Sequence, residues 1–271
     1  MMGFFKKKLQ KMTTEKINLK SRKRLIIFIA ILTAMSMTTA TVAWFSVNTF
    51  VGVDTLDVHI SVAAQLKVAM HDYGKDLSKY GKVITNEMID EFLAGDNTKL
   101  SEIVLDPVTT SDGRRMVSKR GVERKRNNKS FLEFDCYFIA TEPMWVHLTT
   151  EDADDQRDSG TKVTSDSPSP KNEVVSCTRV SYTTESNGTA VYENNKGGTI
   201  NGLNTFDLPS GKMVYTNNTR LFHLDELTPK KVTMRLWIDG EDPQCDDDVQ
   251  EADLNVQMSF VGCDEENVPI S

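Results

Sequence analysis

KKVTMRLWIDGEDPQCDDDVQEADLNVQMSFVGC, residues 230–263, holds two alternating runs around an acidic turn. Val232, Met234, Leu236 and Ile238 fall on one side of the first run, and Thr233, Arg235 and Trp237 on the other. Leu254, Val256, Met258 and Phe260 repeat the pattern in the second. An apolar period of two is that of a strand with one face on a core.

The same period recurs outward from this stretch. In FLEFDCYFIA (131–140) Leu132, Phe134, Cys136 and Phe138 oppose Phe131, Glu133, Asp135 and Tyr137. MWVHLTT (144–150) sets Met144, Val146 and Leu148 against Trp145 and His147, the latter read as facing solvent. Val51, Val53, Leu56, Val58, Ile60 and Val62 alternate with one slip, and Leu66, Val68 and Met70 follow. VVSCTRVSYTT (174–184), TAVYENN (189–195) and TRLFHLDEL (219–227) are further strand candidates. ITNEMIDEFLAG (84–95) is the one soluble helix: Thr85 or Asn86 caps it, Gly95 ends it, and Met88, Ile89, Phe92 and Leu93 share a face. Residues 107–130 read as a polar connector with eight Lys/Arg, 151–172 as a surface loop, and 196–218 as Gly- and Asn-rich. Helical crossovers between strands are missing, which disfavours a parallel α/β fold. The expectation is mainly β: an antiparallel β-sandwich with one short helix, forming one domain over 46–271.

The N-terminus differs in kind. Residues 1–24 carry nine Lys/Arg and one acid, a charge of +8, while the whole chain has −7 and the remainder therefore −15. Leu25–Phe45 follows with 21 uncharged residues. At about 1.5 Å per residue, a helix of that length crosses the hydrocarbon core. The charge bias leaves the basic tip inside, against anionic lipid, and sends the rest out. TVA at 41–43 fits a small-x-small cleavage site, so 25–45 reads either as an uncleaved span with Trp44 at the interface or as a signal cut near Ala43. The lipid bilayer is thus one expected partner, and the protein is expected at the cell membrane with its C-terminal domain outside, or secreted after cleavage.

Four cysteines, Cys136, Cys177, Cys245 and Cys263, permit two disulfides in three pairings outside the membrane. Cys245–Cys263 is the pairing that two neighbouring C-terminal strands would offer. Asp239, Glu241, Asp242, Asp246, Asp247 and Asp248 crowd the acidic turn. Their hard oxygens suit a weak extracellular Ca²⁺ site, although the spacing is not that of an EF-hand, and an acidic hairpin loop accounts for them equally. The basic segment Arg114–Lys129 could hold a polyanion such as a wall polymer, or pair with the acidic turn of another copy. Interleaved aromatics are missing from it, so nucleic acid is not an expected partner. GxSxG, HExxH, the P-loop and GxGxxG are absent, and the four histidines share no close spacing. No catalytic residue and no cofactor are expected.

Ala43, Trp44, Phe45, Leu56 and Val58, in TATVAWFSVNTF and VDTLDVHISVAA, resemble the start of TasA/camelysin-like exported proteins of Gram-positive bacteria. TTAT stands where those proteins carry a Gly pair. LEFDCYFIATEPMWVHL, CTRVSYTT and the segment Leu236-Trp237-Ile238-Asp239-Gly240-Glu241-Asp242-Pro243, with Cys245 after it, resemble a group of clostridial and bacillar surface proteins. The first resemblance implies a jelly-roll-like sandwich and assembly into matrix fibres by lending an N-terminal strand. The expected function is therefore a non-enzymatic, exported structural or adhesive surface protein. The alternative is a membrane-tethered monomer that binds a glycan or polyanionic wall polymer.

Overall fold

A computed structural model of the chain describes residues 27, 53–63, 65–126, 130–150, 160–194, 198–200, 203–209 and 213–270; 53–57, 59, 61, 198–200, 204 and 247 are described in their backbone alone. The chain divides into two units, 1–49 and 50–271. The basic tip and, apart from Ile27, the apolar segment 25–45 lie outside the described residues. Among the described residues no helix is long and apolar enough to cross a membrane.

The second unit is mainly β. Its strands are β1 (Val53–Val62), β2 (Leu66–Ala69), β3 (Val83–Ile84), β4 (Val108–Thr109), β5 (Met116–Ser118), β6 (Glu123–Arg124), β7 (Leu132–Ala140) and β8 (Met144–Leu148). There follow β9 (Lys162–Thr164), β10 (Thr178–Thr184), β11 (Gly188–Glu193), β12 (Gly198–Ile200), β13 (Leu203–Phe206), β14 (Arg220–Leu224), β15 (Lys230–Ile238) and β16 (Ala252–Cys263). One sheet runs β14-β8-β16-β1-β3, with β9 also on β16; a second runs β12-β13-β11-β10-β15-β7-β2; β4-β5-β6 form a small third.

Pairing is mostly antiparallel, with one consequential departure. β1 lies parallel to β16, from Val53 opposite Ala252 to Val62 opposite Phe260. Parallel neighbours need a long connection, and here nearly the whole domain supplies it. β11 and β13 also pair in parallel. After β1 the chain crosses to the second sheet within a few residues: Ala63 N donates to Phe260 O (2.9 Å) and Leu66 N to Ala63 O (3.1 Å).

The two large sheets share one core. Val58, Ile60, Val62, Val146, Leu148, Leu254, Val256, Met258 and Phe260 of the first meet Phe134, Cys136, Phe138, Val180, Tyr182, Val232, Met234 and Leu236 of the second. Aromatic rings join the layers: Phe138 packs edge-on to Phe222 (5.2 Å) and Phe260 (5.1 Å), and Tyr182 to Phe260 (5.6 Å). Each fully buried side chain of this size contributes about 1.5–3 kcal/mol. The alternation read in β7, β15 and β16 is therefore the alternation of core and outer face.

The outer face of the second sheet has two halves. Over β7 and β15 it carries cross-strand charge pairs: Arg235 with Glu133 (2.6 Å), Lys231 with Asp135 (2.8 Å), and Thr233 Oγ1 donating to Asp135 (2.6 Å). Elsewhere it is covered. Within the stretch 107–130, expected as a plain connector, residues 108–124 form the β4-β5-β6 meander, and Val108, Met116, Phe131, Val191 and Trp237 make a second core beneath it. Trp237, expected on the polar side, is 1% exposed for this reason. Gly113 turns the chain into β5 at φ +67°, where an added Cβ would lie 2.7 Å from Thr189 Cγ2.

The helix reading holds within 84–95, but Val174–Cys177, read as the start of a strand, is a second short helix. α1 (Asn86–Ala94) follows Thr85, ends at Gly95, and buries Ile89 and Leu93. Nine residues are too few to form a stable helix alone, so packing holds it. Its Asn86 Oδ1 accepts the Val58 amide (2.9 Å), which ties the helix to β1.

Candidate functional site

The acidic turn after β15 is built around a buried cation. Arg179 lies on β10, opposite Glu193 on β11 and Trp237 on β15. Its Nη2 contacts Glu193 Oε1 (2.7 Å) and Asp242 Oδ2 (2.5 Å), and its Nη1 donates to the carbonyls of Ser176 (2.7 Å) and Thr178 (3.0 Å). The three charged side chains are at most 1% exposed. Thr205 Oγ1 also donates to Glu193 (2.7 Å). Lone buried charges are prohibitive, and a charge that meets partners on several sides is tolerated. Nothing in the strand reading of CTRVSYTT marked Arg179. The one available signal was an Arg within an apolar strand whose β-neighbour ends in Glu193.

Three of the carboxylates weighed for calcium, Asp239, Asp242 and Asp246, fold the turn. Asp239 Oδ1 accepts the Glu241 amide (3.2 Å), Asp242 Oδ1 that of Gln244 (2.9 Å), and Asp246 Oδ1 that of Asp248 (2.9 Å). Three Asx turns in series thus fold the segment. Glu241, Asp246 and Asp248 are exposed, Asp239 and Asp242 are buried, and the Asp247 side chain lies outside the described residues. Burial pushes the Asp239 carboxyl up. Among the described residues no group of three or more His, Cys, Asp or Glu side chains is placed to hold a metal ion. Gly240 fits because an added Cβ would sit 3.0 Å from Pro107 Cβ, where its amide donates to Val108 O (2.9 Å).

All four cysteines are buried thiols. Cys136 donates to Val232 O (3.6 Å) inside the main core. Cys263 lies opposite Trp145, at the far end of β16 from Ala252. About 36 Å of extended strand separates those two ends. The Cys245–Cys263 pairing expected from the sequence is thus not formed, because β16 carries Cys263 away from the acidic turn. The thiol beside Cys245 is that of Cys177, in the same buried cluster.

A second polar cluster lies where β8 meets edge strand β14. The Arg220 guanidinium stacks over Trp145 (4.4 Å), and donates to Asn267 Oδ1 (2.9 Å) and Glu265 O (2.7 Å). Trp145 Nε1 donates to Glu265 Oε2 (3.0 Å), and His223 packs on the same ring (4.9 Å). These contacts fasten the segment after β16 to the sheet. Beside them His147, read from sequence as solvent-facing, is 0% exposed. Its Nδ1 shares a hydrogen bond with Thr219 Oγ1 (3.0 Å) and its ring packs on Tyr215 (5.3 Å). The chain before β14 covers it. Burial first, then the Arg220 charge, push its pKa down to about 4. The His59 side chain lies outside the described residues.

The basic segment forms β5, β6 and their turn. Arg115 pairs with Glu123 (3.2 Å), Arg114 Nε donates to Thr189 Oγ1 (2.8 Å), and Arg126 pairs with Asp96 (2.8 Å) over the Phe92 ring (4.7 Å). Lys119, Arg120 and Lys125 project from the exposed part of the hairpin, and Lys129 lies outside the described residues. No protein-family model, no curated protein and no solved structure matches this chain.

Proposed function

We propose that the chain is a non-enzymatic, exported structural or adhesive protein of the cell surface. Its sheets form a jelly-roll-like sandwich, and copies assemble into a fibre or matrix by exchanging the N-terminal strand. The observation that carries this reading is the seat of β1. The first strand after the apolar segment lies within a sheet, beside the last long strand, and leaves for the other sheet through a very short link. Without β1, the length of β16 from Ala252 to Phe260 would lose one row of hydrogen-bonding partners. An open edge of that length invites another strand. The resemblance of 43–58 to TasA/camelysin-like proteins points the same way. Segment 25–45 serves as bilayer anchor or as signal, and cleavage near Ala43 would free the residues before β1. The test is N-terminal sequencing of surface-extracted protein together with negative-stain microscopy of it. A start near Trp44 and filaments are expected; an intact N-terminus on unassembled protein would refute the proposal.

A second reading, a tethered monomer that binds a wall polyanion, has one observation in its favour. Lys119, Arg120 and Lys125 are exposed together on a domain that is otherwise acidic. Salt-sensitive retention of the chain on teichoic-acid-bearing walls, lost in Arg120→Ser/Lys125→Ser, would support it. Equal retention of that variant would remove it.

A further inference from the structure

Cys177 and Cys245 come from different elements and meet for structural reasons. Cys177 ends α2 (Val174–Cys177), immediately before β10. Its carbonyl accepts the Asp239 amide (2.8 Å), which continues the β10–β15 ladder by one step beyond Thr178 opposite Ile238. From Asp239 two nested turns bring the chain back, Asp242 N donating to Asp239 O (3.1 Å) and Cys245 N to Asp242 O (2.9 Å). Arg179 holds Asp242 from the next position along β10. Cys245 is thereby anchored through the backbone to Cys177 itself and through an ion pair to Arg179, two residues further along. Both sulfurs are buried in the same core cluster and lie close enough for Cys245 to act on the ionisation of Cys177, while Cys177 Sγ donates to Glu173 O (3.7 Å).

We propose that Cys177 and Cys245 form a structural disulfide that closes the acidic turn over the buried Arg179. The inference rests on the reading that this domain is exported, since oxidised thiols persist outside the reducing cytosol. Two thiols lose two protons and two electrons as the S–S bond forms. A disulfide donor, either a small molecule or an oxidoreductase carrying its own disulfide, accepts them and leaves as two thiols. Contact with Cys245, then burial, push the Cys177 thiol up. Thiolate is the attacking species in exchange, so the folded pair reacts slowly and the bond is made while the chain folds. Cys136 and Cys263 have no such role. Burial pushes Cys263 up to about 12 and Cys136 well above its ordinary range, and each sits in a different part of the sheets.

The test uses the full-length chain, reduced, unfolded in guanidinium and refolded in mild detergent with an oxidised/reduced glutathione buffer. Peptide mapping under non-reducing conditions should give one dominant cross-link, Cys177 to Cys245. Cys136→Ser/Cys263→Ser should give the same link, and Cys177→Ser should leave Cys245 alkylatable after unfolding. A dominant link to Cys136 or Cys263, or four free thiols in correctly folded protein, would overturn the proposal. The oxidant is supplied in the tube, so failure there concerns the pairing. A link that forms in the tube yet is missing from protein taken from cells would instead count against export.

Discussion

A guanidinium stripped of water costs several kcal/mol unless fixed groups replace its hydration. Around Arg179 two carboxylates and two carbonyls do so. Arg179→Ala would leave Glu193 and Asp242 buried without their cation, and should lower unfolding free energy by about 3–5 kcal/mol. Adding Glu193→Gln and Asp242→Asn to that variant should recover part of the loss, because the uncompensated charges go too. Urea unfolding of the set measures both effects. His147 gives a second expectation at this scale. Its folded pKa of about 4 lies below the ordinary 6.5, so between those values the unfolded chain binds the extra proton. Stability from this group is complete above pH 6.5 and is lost as pH falls from there towards 4, by up to about 3 kcal/mol. His147→Gln should flatten that part of the stability–pH curve. An unchanged slope in the variant would place the titration elsewhere.

At the level of elements, the third sheet is held by close approach rather than by size. Gly113→Ala forces a side chain into a left-handed turn and against Thr189. A loss of about 1–3 kcal/mol is expected, with faster amide exchange in β4–β6 while β7 and β15 keep their protection. The long strands β7, β15 and β16 were legible in the sequence because one face meets the core and the other stays polar. α1 was legible from its apolar face and its closing Gly95. What escaped was anything set by a neighbour distant in sequence. The stretch 107–130 looks polar because, among its described residues, only Val108 and Met116 join Trp237 and Val191 in the second core. His147 alternates like a surface residue, and only the later segment with Tyr215 and Thr219 buries it. The crowded acids read as a possible ligand set, whereas Asp239, Asp242 and Asp246 form turns and Asp242 also partners a cation that lies 63 residues earlier in the chain. The parallel seat of β1 left no local mark, because register with β16 joins opposite ends of the domain.

For the molecule as a whole, two long-range links matter. The proposed Cys177–Cys245 bond would close a loop of roughly 70 residues, worth about 4 kcal/mol by the chain-entropy relation. The oxidised chain should therefore unfold at higher denaturant than the reduced one; equal midpoints would mean that strain cancels the gain. The seat of β1 along β16 is the second link, and the proposed assembly depends on it. Asp57 and Asn255 are register partners across this seam. The most direct measurement co-expresses Asp57→Cys chains with Asn255→Cys chains and treats the surface protein with a short bis-maleimide. Strand exchange predicts a covalent dimer that joins the two kinds of chain. If only Asp57→Cys/Asn255→Cys chains are linked, each within itself, and the mixed population yields no dimer, β1 stays at home and the account of assembly is wrong.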